Sequence, residues 1–461
     1  MGTDTLPGSD GGDEANSGKP PYYGIPQSPL AAGSGPKNVV WSGYNSLSSV
    51  SGTRTQRRCG HNDRVGRSSS EFWITLNTQS EIHSDGHLHF GDFGRLPELL
   101  EYVERLQLGS IGLLSLPTAG TGEQGDTIVN FNPEVLVASS VLAARGTIAP
   151  AFGSLDNRYR LRDLSDGGKR WNPARQVQEM RAAGFQGVKF WEGKPELQTS
   201  LRLALDDPLL CAAYRDAGTA DMPVLIHVAD PPLFWTREGG LWSYVNRNVL
   251  EFDELMRQAG AICECAPHTH FIFPHLLFLA GELDRLAWFL DRYPNMSVDL
   301  APGMYMYPAL GAADGSGIPL SKQQYTAARE FFSNYETRIL FGTDAFFLAP
   351  ELKLLPPHSL EANFDRYNTL LRFLTHMAIS DNPFSPLPEV GHFVGLGLSA
   401  KTIRLITYEN INKLFRGPVI PNPKAIKNYL TRWALPLSGE SEDSIRTRTQ
   451  RVEKGFMLLS E

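Results

Sequence analysis

From Glu81 onward the chain alternates short, nearly continuous apolar runs with longer stretches whose apolar positions recur every three or four residues. The runs are EIHSDGHLHF (81–90), SIGLLSL (110–116), GTIAPAFGS (146–154), GVKFW (187–191), PVLIHVAD (223–230), THFIFPHL (269–276), MSVDLAPG (296–303) and RILFGTDAF (338–346). Each has the length of a strand. Such runs suit parallel strands buried on both faces. Between them the helical period shows. PARQVQEMRAAG (173–184) opens on Pro and closes on Gly, the residues that helix boundaries prefer. GELDRLAWFLDRYPN (281–295) puts Leu283, Leu286, Ala287 and Leu290 on one face and stops at Pro294. YTAAREFFSNYE (325–336) and SAKTIRLITYENINKLFRG (399–417) repeat the pattern. Eight strands alternating with helices from Asp85 to Gly417 predict an α/β fold, a (β/α)8 TIM-like barrel. The rival is an open doubly wound sheet, which is weakened because no G-x-G-x-x-G follows any strand.

Composition changes this picture mainly at the ends. Residues 1–78 are rich in Gly, Ser, Pro and Asn, and too poor in periodic apolar positions to offset their ordering entropy. They predict a disordered extension, whose basic stretch RTQRRCGHNDRVGR (54–67) reads as a solvated arm. The barrel takes residues 79–417, and the mixed acidic and basic segment 418–461 reads as a peripheral tail or helix. A net charge of −7 argues against nucleic acid as a partner. No apolar run reaches the roughly 20 residues of a membrane helix. The first residues lack the basic flank and apolar core of a signal peptide, so a cytoplasmic location is expected. The four cysteines, Cys59, Cys211, Cys263 and Cys265, are too few for a disulfide framework and are expected as buried free thiols.

The candidate chemistry lies where barrels carry it, at the C-terminal ends of the strands. The first run ends in His87 and His89, the fourth carries Lys189, and the fifth ends in His227. His275, Asp299 and Asp344 follow on the sixth, seventh and eighth. Strand alternation puts His87 and His89 on one face, with Asp85 beside them, so the two imidazoles converge. Singly these residues have plain readings: a polar strand edge, a satisfied core histidine at His227, a helix cap at Asp344. Together, three histidines and a carboxylate on one rim form an N3O set suited to a divalent ion.

With these residues in place the chain resembles the amidohydrolase superfamily, in particular the amidohydrolase-related group that includes aminocarboxymuconate semialdehyde decarboxylase. The resemblance rests on D-x-H-x-H (Asp85, His87, His89), PVLIH (His227), FIFPH (His275), LDRYPNMSVDL (290–300), RILFGTDAF (Asp344) and YENINKLF (408–415). It implies that His87, His89, His227 and Asp344 ligate a metal, most readily zinc, with manganese or iron as alternatives. It also implies that His275 is the general acid/base and that Asp344 accepts a proton from water. His268 and His270 precede the sixth apolar run, whereas His275 follows it. Binuclear relatives bridge two metals through a carboxylated lysine on strand 4. The mononuclear decarboxylase-like group does not need one, so Lys189 is assigned with Trp191 to substrate binding.

The expected function is metal-dependent hydrolysis of an ester, lactone or amide. The alternatives are non-oxidative decarboxylation of an aromatic or unsaturated carboxylic acid and, from a different class, a non-catalytic metal-binding barrel. The partner expected is a small-molecule substrate, and the resemblance adds a homodimer.

Overall fold

The computed structural model describes residues 83–116, 130–157, 160, 171–302, 306–310, 322–349, 358–377, 379–381, 392–415, 422–436 and 442–459. The expected extension at 1–78, with its basic stretch and Cys59, lies outside the described residues.

The eight apolar runs form parallel strands β1 (His83–Phe90), β2 (Leu108–Leu114), β3 (Ala151–Ser154), β4 (Gly187–Gly193), β5 (Val224–Val228), β6 (Phe271–Phe273), β7 (Met296–Asp299) and β8 (Ile339–Leu340). Each pairs with the next in chain order. A ninth segment, β9 (Ala345–Phe347), pairs with β1. The residues between β8 and β9 also bond to β1, through Gly86 N to Phe341 O at 2.8 Å and Asp344 N to His87 O at 2.9 Å. β8 and β9 are therefore one interrupted strand, bonded to β7 at its start and to β1 at its end. That closes the ring into a TIM-like barrel.

Helices cover the outside, which is why the strands are apolar on both faces. Leu88, Leu113, Phe152, Val188, Ile226 and Phe273 are fully buried. Helix Leu96–Arg105 buries Leu96, Leu99, Tyr102 and Val103, one stripe at helical spacing. Helix Pro173–Ala183 is capped by the Asn172 side chain and ends at Gly184, whose φ of 107° suits a residue without a Cβ. Helices Pro423–Trp433 and Glu442–Leu458 pack on the barrel rather than trailing from it. Trp433 Nε1 donates to Asn130 Oδ1 at 2.9 Å, and Arg451 forks onto both Glu134 oxygens at 2.6 Å. Among the described residues no helix is long and apolar enough to cross a membrane.

The cysteines depart from the expectation of free thiols. Helices Pro208–Thr219 and Phe252–Cys265 pack together and bring the Cα atoms of Cys211 and Cys265 to 6.0 Å, within disulfide reach, and the two are bonded. Cys263 is free and buried.

Candidate metal centre

At the C-terminal rim, β1 supplies His87 and His89, and the break between β8 and β9 supplies Asp344. His87 Nε2 lies 3.1 Å from His89 Nε2, and the two lie 3.3 and 3.2 Å from Asp344 Oδ1. Among the described residues this trio forms a group of ligand atoms all within 4.8 Å of one another. Asp344 holds a φ of 54°, a left-handed conformation that aspartate tolerates better than most residues.

The surroundings fix the trio's protonation. His87 Nδ1 donates to Asp299 Oδ2 at 2.7 Å. The other Asp299 oxygen accepts from the backbone N–H groups of His275 and Ala301, at 3.1 and 2.9 Å. Burial pushes the His87 pKa down, but the Asp299 carboxylate and the hydrogen bond to Asp344 together outweigh it and leave the imidazole above its ordinary value. His89, stacked on Phe346 at 5.1 Å, is pushed by burial to about 4, with Asp344 opposing. Burial favours a neutral Asp344, yet hydrogen bonds from both histidines hold it well below the usual carboxylate range.

His275 begins a left-handed turn. His275, Leu276, Leu277 and Phe278 all have φ between 51° and 59°. This conformation costs an L-residue about 1–2 kcal/mol and persists only where packing enforces it. Here Leu276 and Leu277 are buried, and His275 Nδ1 donates to Ala301 O at 2.9 Å. That bond leaves Nε2 as the basic nitrogen. Burial lowers the His275 pKa, against the raising influence of Asp344 and Asp299. The ring also borders a small open pocket whose other lining residues are apolar: Pro231, Pro232, Phe278, Ala280, Met306 and Ala309.

His227 does not join the trio. Its ring is 5.1 Å from that of His275, which is itself 5.8 Å from that of His87. Its Nε2 is buried without a hydrogen bond and faces Asp230 Oδ1 at 3.6 Å. Burial pushes its pKa down to about 3. Lys189 is buried inside the barrel. Burial pushes its ammonium down to about 8 despite the neighbouring carboxylates of Asp344, Asp299 and Glu192. Trp191 is half-buried, with Lys194 Nζ 5.6 Å from its ring centre. Of the other histidines in that stretch, His268 is exposed and His270 bonds to Ser297 Oγ at the start of β6.

Asp85 departs from the sequence reading. A register shift in β1 between Asp85 and Leu88 breaks the alternation, and the Asp85 carboxylate meets His87 at its backbone N–H, at 3.3 Å, rather than at its ring. The carboxylate also accepts from Thr343 N at 3.0 Å, Thr343 Oγ1 at 2.6 Å and Tyr102 OH at 3.0 Å. Burial raises its pKa to about 6 against these bonds. Asp85 thus ties β1 to the residue preceding Asp344.

Sequence reasoning missed the partners of the histidines. Asp299 was visible at a strand end, but not as the acceptor for His87. A second missed group is Asp230, bonded to Lys194 Nζ at 2.9 Å and to Tyr244 OH at 2.6 Å.

No protein-family model and no curated protein matches this chain. Solved structures do. A TIM-barrel protein from Bordetella bronchiseptica is 13% identical, over 73% of this chain and 99% of that one, with a TM-score of 0.41. The 5-carboxyvanillate decarboxylase from Sphingomonas paucimobilis is 10% identical over 73% and 100%, with a TM-score of 0.40. A dihydroxybenzoic acid decarboxylase from Polaromonas sp. JS666, with bound manganese and 2-nitroresorcinol, is 14% identical over 73% and 97%, again at 0.40. Likeness at this level assigns neither a substrate nor a reaction to this chain.

Proposed function

We propose that the chain is a metal-dependent enzyme of the amidohydrolase type that hydrolyses an ester, lactone or amide. The observation that carries this reading is the meeting of His87 Nε2, His89 Nε2 and Asp344 Oδ1 within 3.3 Å of one another. Asp299 holds a His87 proton at Nδ1, so Nε2, hydrogen-bonded to Asp344 in the metal-free protein, is the nitrogen left to present a lone pair to a cation. The protons that join the two histidines to Asp344 occupy the place a cation would take, between one carboxylate oxygen and two imidazole nitrogens. An imidazole–carboxylate set suits zinc first, with manganese or iron also accepted. His227 would complete the set.

A divalent cation held by His87, His89 and Asp344 would supply Lewis acidity, the chemistry that takes the pKa of water from about 15.7 toward about 7. Asp344, kept as a carboxylate, accepts the water's proton. His275 is neutral near pH 7, so its Nε2 takes up a proton and can return it to a leaving group. Lys189 and Trp191 contact the substrate from β4, and the apolar pocket beside His275 receives its non-reacting part. The substrate is a small molecule.

Metal analysis of the purified protein is combined with a screen of esters, lactones, amides and aromatic acids, recording CO2. Bound metal with acid formation and no CO2 supports hydrolysis. CO2 release overturns it in favour of decarboxylation on the same residues. Bound metal without any turnover leaves a non-catalytic metal-binding barrel.

A further inference from the structure

His227 sits at the rim with a buried, unbonded Nε2, and the group it faces is not the trio. Among the described residues, Asp230 is the carboxylate within ion-pair reach of it, with Oδ1 at 3.6 Å. Asp230 is itself buried and held from two sides. Lys194 Nζ donates to the same Oδ1 at 2.9 Å, and Tyr244 OH donates to Oδ2 at 2.6 Å. Ala229, between the two residues, has a φ of 64°, a conformation costly for alanine that turns the chain back on itself. Its N–H is fixed to Gly193 O at 3.0 Å. A Cβ on Gly193 would collide with the His227 carbonyl, so β4 and β5 approach this closely only because that residue is glycine.

A carboxylate offers only lone pairs to whatever faces it. If the His227 proton sat on Nδ1, Nε2 would set a lone pair against the Asp230 anion inside the protein, which is repulsive. With the proton on Nε2, the same contact is attractive and a small ring rotation makes it a hydrogen bond. We propose that Asp230 is a positioning residue that selects the Nε2–H tautomer of His227, so that Nδ1 is the nitrogen offered to the metal. The assignment of a metal rests on the function proposed above; the assignment of the tautomer does not. His87 is set the opposite way, with Nδ1 on Asp299 and Nε2 offered to the site. One histidine would thus present each nitrogen, by the same device of a buried carboxylate on the other side of the ring.

The test uses the full-length chain with 15N-labelled histidine, stripped of metal by a chelator. Long-range proton–nitrogen correlation reads the tautomer of each imidazole, and the His227 signal is assigned by its loss in His227→Gln. The expected result is Nε2–H in the native protein, with Asp230→Asn moving the population toward Nδ1–H. Titration with zinc should then show the variant binding about ten- to a hundred-fold more weakly than the native protein. A merely structural role for Asp230 would lower the melting temperature without moving the tautomer. Nδ1–H in the native protein overturns the proposal, and so does an Asp230→Asn protein with unchanged tautomer and unchanged zinc affinity. If Asp230→Asn does not fold, the native spectrum still decides. Should native protein with the Nε2–H tautomer bind no zinc, manganese or iron, the tautomer assignment stands and the metal-dependent function falls.

Discussion

His87 and Asp299 meet at 2.7 Å across Gly342. Gly342 lies on the strand between them, and a Cβ there would stand 2.6 Å from His87 Cβ and 3.6 Å from Asp299 Cγ. The missing side chain lets a carboxylate from β7 reach an imidazole on β1 past the intervening strand. The same carboxylate holds the backbone N–H of His275. One residue therefore sets both a candidate metal ligand and the candidate acid/base.

Asp299→Asn tests this. The asparagine Oδ1 can still accept from the backbone, but its amide can donate to His87 Nδ1 and so place the proton on Nε2, where a ligand lone pair is needed. Zinc affinity should fall about ten- to a hundred-fold, measured by calorimetric titration of metal-free protein. Native affinity in a folded variant would mean that His87 needs no orienting carboxylate.

For His275, asparagine is a better probe than alanine, because it tolerates the positive φ of 59°. His275→Asn should lower turnover by about 10²–10⁴-fold while metal content stays at the native value. Unchanged turnover would remove His275 from the mechanism. Loss of metal along with turnover would instead make it a ligand.

Much of this was legible in the chain. Each apolar run became a strand because burial on both faces leaves no room for polar alternation. The rim histidines were readable because strand ends are where a barrel exposes polar groups. What escaped depends on distances that sequence order does not encode. The shift in β1 that places Asp85 on Thr343 spans Gly86, and a single glycine in a strand run marks a bulge without saying which side chain it re-aims. The contact of His87 with Asp299 needs two residues 212 positions apart. His227 and Asp344 are both at strand ends, yet only Asp344 reaches the two β1 histidines.

The bond between Cys211 and Cys265 was equally hidden, since four cysteines are too few to suggest a disulfide framework and the pair meets only when two helices pack. It closes a loop across a sequence separation of 54. A crosslink of this kind contributes about 2–4 kcal/mol, chiefly by restricting the unfolded chain. Reductant should lower the urea midpoint correspondingly, and Cys211→Ser should reproduce the shift and lose further response to reductant. Non-reducing peptide maps that find both residues as free thiols would refute the bond.

His270 gives a stability signature apart from the metal centre. Burial, reinforced by Arg338, lowers its pKa from 6.5 to about 4. The unfolded chain therefore takes up a proton at a pH where the folded protein does not. Between pH 6.5 and about 4, acidification favours unfolding, and above 6.5 the two states hold the same proton count at this site. At about 1.4 kcal/mol per pH unit, the site can remove roughly 2 kcal/mol between pH 7 and pH 5. His89 and His227, whose pKa values are also lowered by burial, add to the same slope in metal-free protein. His270→Gln removes one contribution and should flatten the dependence by about that amount. Urea unfolding of metal-free native and variant protein at both pH values measures it. Parallel losses in the two proteins would show that His270 already titrates normally in the folded state.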